Sequence, residues 1–269
     1  MNRNVLLIAK LELINRRKTI LVWSLLLGII MFVYMILFQS FKDALVAEME
    51  LMPPEILDMF GMSNEVDYTN YNNYYGMVSQ MVLIVLCAFA VYIGSCTLGD
   101  EQSNKTIEYL NANSVKRSDI VIGKIFSVTI MLSIINVIQF ALGVIPGFIV
   151  ARDSINFWLL LKANLIGFVA VILFGVAGVT ISTLLKNGKG GGIGLGACFG
   201  TYIIGYFATL NIDWLKWCKW LSPMDYLSNA LVISDNFGLG NIIALIITLL
   251  LIFAISLLSI FVFRKKDLL

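Results

Sequence analysis

The chain has 269 residues, of which 59% are hydrophobic and only 13% are charged. Soluble domains usually carry about 25% charged residues, so this composition is typical of a membrane protein. The sequence contains no histidine, which excludes histidine-based catalytic triads and histidine metal sites. A net charge of +2 is too small to predict nucleic-acid binding, and the four cysteines form no C-x-x-C pair that would predict a zinc or redox site.

Six long stretches without a charged side chain follow one another along the chain. A helix needs about 20 mostly apolar residues to cross a bilayer, and a lipid-exposed backbone must make its hydrogen bonds within the segment. We therefore predict an all-α polytopic membrane protein with a single transmembrane domain over residues 1–269. The six predicted transmembrane helices lie near 20–39, 77–98, 125–150, 163–184, 192–211 and 241–263.

The positions of lysine and arginine predict the orientation of these helices. If both termini are cytoplasmic, the inside segments carry 14 of the 19 basic residues, as the positive-inside rule requires. Residues 1–18 combine apolar and basic side chains, which indicates an amphipathic helix at the inner membrane surface. An ordinary positively charged flank with no further role is the alternative.

Two outside loops are rich in aromatic residues. The loop 40–76 ends in a tyrosine-rich segment, 68–75, which we interpret as an aromatic belt before the second span, with a ligand site as the alternative. In the last outside loop, Trp214, Trp217 and Trp220 recur every three residues. This stripe predicts a helix that lies at the outer interface.

Glycines recur at every fourth position near the start of the fifth predicted span. They are Gly188, Gly192, Gly196 and Gly200. A phosphate-binding P-loop is not indicated because Lys189 is followed by glycine, and a dinucleotide fingerprint is not indicated because no strand precedes the run. The spacing places the four glycines on one helix face, where another helix can approach closely. We predict a helix-packing ridge whose neighbour lies either in the same bundle or on a second subunit.

The predicted spans contain no Asp, Glu, Lys or Arg. Ion-coupled transporters usually hold ionisable groups within the membrane, and the chain has no ATP-binding motif. We therefore expect the energy for any transport to come from another subunit. Polar residues that could line a pathway are Asn136, Gln139, Thr180 and Ser182.

A polar island, residues 100–124, separates the second and third predicted spans. It resembles the loop at this position in permease subunits of type-2 ABC exporters. The matching residues are Glu101, Thr106, Glu108, Leu110, Arg117, Gly123 and Lys124. Lys105 and Ser114 replace the glycine and proline that are usual in that family. The six spans, the amphipathic start and Ser222-Pro223 before the last span extend the resemblance over the whole chain.

The resemblance implies that the island carries a coupling helix that docks on a separate ABC-type ATP-binding subunit. The implied contact residues are Glu101, Thr106, Ile107, Glu108, Leu110 and Arg117. In such a helix Ser103 can cap the first turn, and Ile107 and Leu110 share one face. From the missing histidine, C-x-x-C and ATP motifs we expect no catalytic residue and no metal site in this chain. ATP and Mg are expected on two copies of the ATPase, and a second permease copy or a sister permease is expected as a further partner.

The implied function is ATP-driven export across the plasma membrane of a bacterium. Uncharged spans favour an amphipathic or hydrophobic substrate, such as a peptide, toxin or antimicrobial compound. Two alternatives stay open. One is a non-transporting membrane scaffold or immunity protein that sequesters a toxin, and the other is an ion-coupled secondary transporter.

Overall fold

The computed structural model describes residues 3–49, 51–53, 66–103, 116–152, 154–185, 190–208 and 213–265. These residues are mostly helical, and no β-strand occurs among them, as the sequence predicts. In chain order the helices are α1 Arg3–Asn15, α2 Arg17–Ile36, α3 Phe38–Met49, α4 Tyr71–Ser103, α5 Arg117–Val150, α6 Phe157–Leu184, α7 Gly190–Phe207, a 3-10 helix Asp213–Leu221, α8 Pro223–Tyr226, α9 Asn229–Ile233 and α10 Leu239–Lys265.

Five helices in the described part of the chain are long and apolar enough to cross a membrane. They are α2, α4 over Tyr71–Leu98, α5, α6 and α10, and they coincide with five of the six predicted spans. The remaining prediction, 192–211, coincides with α7. This helix has 18 residues, seven of them glycine, and therefore carries less apolar side chain. The total of six spans and the cytoplasmic placement of both termini stay predictions.

Several helices extend beyond the apolar runs that predict them. The helix α5 begins at Arg117, about two turns before the predicted start at 125, and α4 continues to Ser103. A helix continues as long as its residues keep helical dihedral angles and backbone hydrogen bonds, and polar side chains do not end it. Both ends of the polar island therefore belong to the helices that flank it.

The helices α4 and α6 cross at the centre of the bundle with their backbones in direct contact. A Cβ added at Gly94 would collide with the carbonyl oxygen of Gly175 and would lie 3.0 Å from the amide nitrogen of Val179. A Cβ added at Gly178 would collide with the carbonyl oxygen of Val91. Small residues permit such a close approach between membrane helices. These glycines therefore set the distance between the two most central helices.

The tyrosines of segment 68–75 are core residues. Tyr68, Tyr71, Tyr74 and Tyr75 are each at most 3% exposed. The hydroxyl of Tyr71 donates to the carbonyl oxygen of Gly143 at 3.2 Å, which joins α4 to α5. An aromatic belt requires rings at the boundary between lipid and water. The interpretation as a belt is therefore wrong, because these rings pack inside the bundle.

The tryptophan stripe lies on the 3-10 helix. Side chains at i and i+3 eclipse one another in this kind of helix because it has three residues per turn. Trp214, Trp217 and Trp220 accordingly form one row and are 71%, 57% and 47% exposed. The predicted stripe is present, and the 3-10 geometry aligns it more directly than an α-helix would.

Candidate functional site

Charged side chains gather at one end of the bundle, which we call the basic end. It is the end at which α2 and α5 begin and at which α4 and α10 terminate. The described basic residues there include Arg16, Arg17, Lys18, Lys116, Arg117, Lys124, Arg264 and Lys265. The polar island leaves and re-enters the bundle at this end, so the surroundings of its two roots define the candidate site.

A buried ion pair joins α1 to α5. The ammonium nitrogen of Lys124 lies 2.5 Å from a carboxylate oxygen of Glu12. Lys124 is 1% exposed and Glu12 is 7% exposed. Arg16, one turn after Glu12, contacts the other carboxylate oxygen. Removing one partner of a buried pair leaves the other charge without compensation, which is strongly unfavourable. The pair therefore holds α1 against the first turns of α5.

Gly123 lets α1 come close enough to form this pair. A Cβ added at Gly123 would lie 2.9 Å from Cγ2 of Ile8 and 3.3 Å from the carbonyl oxygen of Val5. A larger residue would push α1 away from α5. The structure therefore explains the Gly-Lys dipeptide at 123–124. The glycine leaves room for α1 to pack closely, and the lysine forms the ion pair with α1.

The pKa of the Glu12 carboxyl lies below its ordinary value. Burial by itself would raise this pKa, but the positive charges of Lys124 and Arg16 and the hydrogen bonds from both side chains outweigh burial. Glu12 is therefore ionised at neutral pH, and its contact with Lys124 is an ion pair rather than a neutral hydrogen bond.

Two arginines extend the contacts to neighbouring helices. The guanidinium of Arg16 donates to the carbonyl oxygen of Cys96 in α4 at 3.3 Å. The guanidinium of Arg117 donates to the carbonyl oxygen of Arg264 in the last turn of α10 at 3.4 Å. These bonds link α4 to the junction between α1 and α2, and α5 to the last turn of α10.

Most of the predicted ATPase-contact residues lie outside the described part of the chain. Thr106, Ile107, Glu108 and Leu110 fall within 104–115. Glu101 belongs to the last turn of α4, and Arg117 is the first residue of α5 and half-buried. These two residues stand at the two roots of the island. Their contact with an ATPase stays a prediction.

The glycine ridge of α7 faces away from the described bundle. Gly188 lies outside the described residues. No described atom lies within 4 Å of a Cβ added at Gly192, Gly196 or Gly200. The close packing of α7 on Ser95 and Tyr92 of α4 uses another face, with Gly190, Gly191 and Gly194. Contact of the ridge with a second subunit, the other possibility that the sequence left open, stays a prediction.

The four polar residues suggested as pathway-lining are buried within the bundle. Asn136, Gln139, Thr180 and Ser182 are at most 6% exposed. The side chain of Asn136 donates to that of Asn164 at 2.7 Å, and the hydroxyls of Thr180 and Ser259 share a hydrogen bond of 2.6 Å. These bonds join α5 to α6 and α6 to α10. In this conformation Asn136 and Thr180 hold helices together.

A polar cluster at the opposite end of the bundle was missed by sequence reasoning. Gln80 of α4 donates to the carbonyl oxygen of Met224 at 2.9 Å and accepts from the backbone nitrogen of Asn229 at 3.1 Å. The side chain of Asn229 donates to Ser79 at 3.2 Å. The cluster fastens α8 and α9 to α4. A glutamine within an apolar span is unfavourable unless it is hydrogen-bonded. The presence of Gln80 in such a span could therefore have predicted a hydrogen-bonded cluster.

The comparison with known protein families agrees with the resemblance carried by the island. The family model described as "ABC-2 family transporter protein" matches residues 6–268, nearly the whole chain. No curated protein matches the sequence. Membership of this family implies, in general, partnership with an ATP-binding subunit. With its long apolar helices, the chain is a multi-pass membrane protein that belongs to the ABC-2 transporter family, as a permease subunit of the type-2 ABC class.

Proposed function

We propose that the chain is the membrane permease of an ATP-driven exporter, powered by separate ATPase subunits that dock on residues 100–124. The observation that carries the proposal is the buried contact of Glu12 with Lys124 and Arg16 at the basic end. It ties the root of the island to the N-terminal helix. In a permease of this family, this root is where force from an ATPase would enter.

The contacts at the basic end support movement of several helices together. A push on the island would act on the last turn of α4 and the first turn of α5. Because Lys124 binds Glu12 and Gly123 seats α1 closely, α1 would follow α5. Arg117 would extend the displacement to α10. Closure of two ATPases with bound ATP and Mg would then shift the helices as rigid bodies between inward-open and outward-open states.

We further propose that two permeases assemble, either two copies of this chain or this chain and a sister permease, with two ATPase subunits. The exposed face of α7 supports this assembly. Gly192, Gly196 and Gly200 form a strip without side chains, and exposed Ile193 and Phe199 stand beside it. Such a strip lets a second helix approach closely, and the neighbouring side chains add van der Waals contact.

An amphipathic or hydrophobic substrate, such as a peptide, toxin or antimicrobial compound, fits the uncharged spans best. The charge nearest to the third predicted span, Lys124, is neutralised by Glu12 at the basic end. A charged substrate would meet no counter-charge in the predicted spans and would lose its hydration without compensation. We propose export of such a substrate across a bacterial plasma membrane.

Two substitutions in the island, each with a matched control, test the docking proposal. Glu101→Ala removes a charge expected at the rim of the contact and should weaken ATPase co-purification by up to about fivefold. Leu110→Asp places a charge in the apolar contact and should weaken it by about 30-fold or more. Glu48→Ala and Leu51→Asp make the same changes at exposed positions and should alter nothing. Docking is refuted if ATPase binding and export both survive the two island substitutions.

The energy source distinguishes the proposed function from the alternatives. In vesicles with clamped ion gradients, export should stop when ATP is depleted. Transport that follows an ion gradient without ATP would instead identify a secondary transporter. Binding of a toxin without any movement of substrate would identify a scaffold or immunity protein.

A further inference from the structure

A groove runs between α2 and α5 near the basic end. It has a volume of about 290 Å³ and is lined by Arg17, Ile20, Leu21, Ser24, Leu25 and Ile138. Four of these six side chains are aliphatic, and the one cation stands where α2 begins. The groove thus combines an apolar floor with a positive charge at one end.

Arg17 is available to a ligand. It is exposed and forms no ion pair with a carboxylate of the described residues. Its neighbour Arg16 differs, because it is engaged by Glu12 and by the carbonyl oxygen of Cys96. Lys18, the next residue of α2, is exposed as well and adds a second positive charge near the start of this helix. An anion at this position would therefore meet basic side chains that are not already neutralised by those carboxylates.

Ser24 is an independent indication of a ligand in the same groove. It is 2% exposed, and its hydroxyl oxygen has no hydrogen-bond partner among the described residues. A serine in a membrane helix usually donates to the carbonyl oxygen four residues earlier, as Ser256 does to Ile252 at 2.7 Å. A buried hydroxyl without a partner is unfavourable. An acceptor atom brought by a ligand would satisfy it.

Arg17 and Ser24 line the same groove, about 10 Å apart along the axis of α2. The phosphate and the acyl ester linkages of a phospholipid share a headgroup layer that is only about 5 to 8 Å deep. One lipid therefore reaches both residues when the long side chain of Arg17 lies along the groove toward Ser24. With Arg17 in that position, a phosphate bound to it places ester oxygens near the Ser24 hydroxyl.

We propose that this groove binds one anionic phospholipid from the leaflet at the basic end. Arg17 contacts the phosphate, Ser24 donates to an ester oxygen, and one acyl chain lies along Ile20, Leu25 and Ile138. Basic pockets between transmembrane helices are a general means of retaining anionic headgroups. The proposal rests on the membrane placement of the chain and is independent of ATPase docking. A negative result for lipid binding would therefore leave the proposed function untouched, and the reverse also holds.

Native mass spectrometry of the purified full-length chain tests the headgroup preference. The chain is equilibrated with equal amounts of dioleoyl phosphatidylglycerol and dioleoyl phosphatidylcholine, and the retained lipid is counted. We expect one phosphatidylglycerol in preference to phosphatidylcholine. Arg17→Gln should reduce that preference by about fivefold. Lys10→Gln also removes one positive charge, at an exposed position of α1, and should not reduce the preference. Equal retention of both lipids by the unmodified chain, or equal effects of the two substitutions, would overturn the proposal.

Filling the groove tests its location. Ile138→Trp should remove the retained lipid, whereas Val137→Trp, at a neighbouring position that is 63% exposed and does not line the groove, should keep it. If Ile138→Trp lowers the oligomeric mass and leaves the lipid count unchanged, the groove is an interface with a second copy and the lipid proposal is wrong. Arg17→Gln changes an exposed side chain, so its result decides the question even if Ile138→Trp fails to fold.

Discussion

Replacement of Lys124 by methionine tests the buried ion pair directly. Lys124→Met keeps an unbranched side chain of similar length and removes the charge that faces Glu12 at 2.5 Å. Breaking a buried pair usually costs about 3–5 kcal/mol, because the remaining charge stays out of water. Arg16 still contacts Glu12 in this variant, so we expect the lower end of the range, about 3 kcal/mol. At about 2–4 °C per kcal/mol, the melting temperature should fall by roughly 6–12 °C.

Two double variants separate the loss of a charge from the loss of packing. Glu12→Met combined with Lys124→Met should be more stable than Lys124→Met alone, since apolar pairs often replace buried ion pairs at no net cost. Recovery should be partial, because Arg16 loses its carboxylate partner in the double variant. The charge swap Glu12→Lys with Lys124→Glu should not recover in the same way. It would place the new ammonium beside Arg16, where two positive charges repel one another.

Apparent melting temperatures of the purified chain in a single detergent provide the measurement, at one heating rate because unfolding of such proteins is often irreversible. Lys10→Met on the exposed side of α1 is the matched control and should change the melting temperature by less than about 2 °C. Equal melting temperatures of Lys124→Met and Lys10→Met would refute the reasoning. Full recovery by the charge swap would show that Arg16 has no part in the cluster.

Two further predictions follow from the same contacts. The folded-state pKa of Glu12 is depressed, so the folded chain binds fewer protons than the unfolded chain at acidic pH. The stabilisation by Glu12 is therefore present above the ordinary carboxyl pKa of 4.5 and is lost as the pH falls below that value. Melting temperatures of the unmodified chain should therefore fall more steeply below about pH 4.5 than those of Glu12→Gln, and parallel curves in that range would contradict this. Gly178→Ala should destabilise the chain by about 1–3 kcal/mol, because its methyl group would meet the backbone of α4, whereas Gly196→Ala should leave the melting temperature of the monomer unchanged. Similar losses from both substitutions would contradict the assignment of the close crossing to α4 and α6.

The helices could be predicted because they depend on local sequence. Five predicted spans coincide with long apolar helices. Their ends could not be predicted from hydropathy, as the start of α5 at Arg117 shows, because backbone hydrogen bonds continue through polar residues.

Residues whose role depends on distant neighbours were harder to assign. Hydropathy does not tell whether the tyrosines of 68–75 face lipid or another helix, since both surroundings accept an aromatic ring. The spacing of glycines at every fourth position in α7 predicts a helix-packing ridge, and this stays a prediction. A direct backbone contact between helices of the described bundle lies at Gly94 and Gly178, because a close approach requires a second helix at the same height.

The sequence by itself determined that the chain is a helical membrane protein and that the island at 100–124 is its distinctive polar segment. Apolar runs alone impose this result, because a backbone in lipid must satisfy its own hydrogen bonds. Only the tertiary structure decided that Lys124 at the end of the island pairs with Glu12, 112 residues earlier in the chain. From the sequence alone, Lys124 and Glu12 each resemble an ordinary charge at a membrane surface. Their burial and their pairing follow from the packing of α1 on α5 at Gly123, and no local pattern encodes that packing.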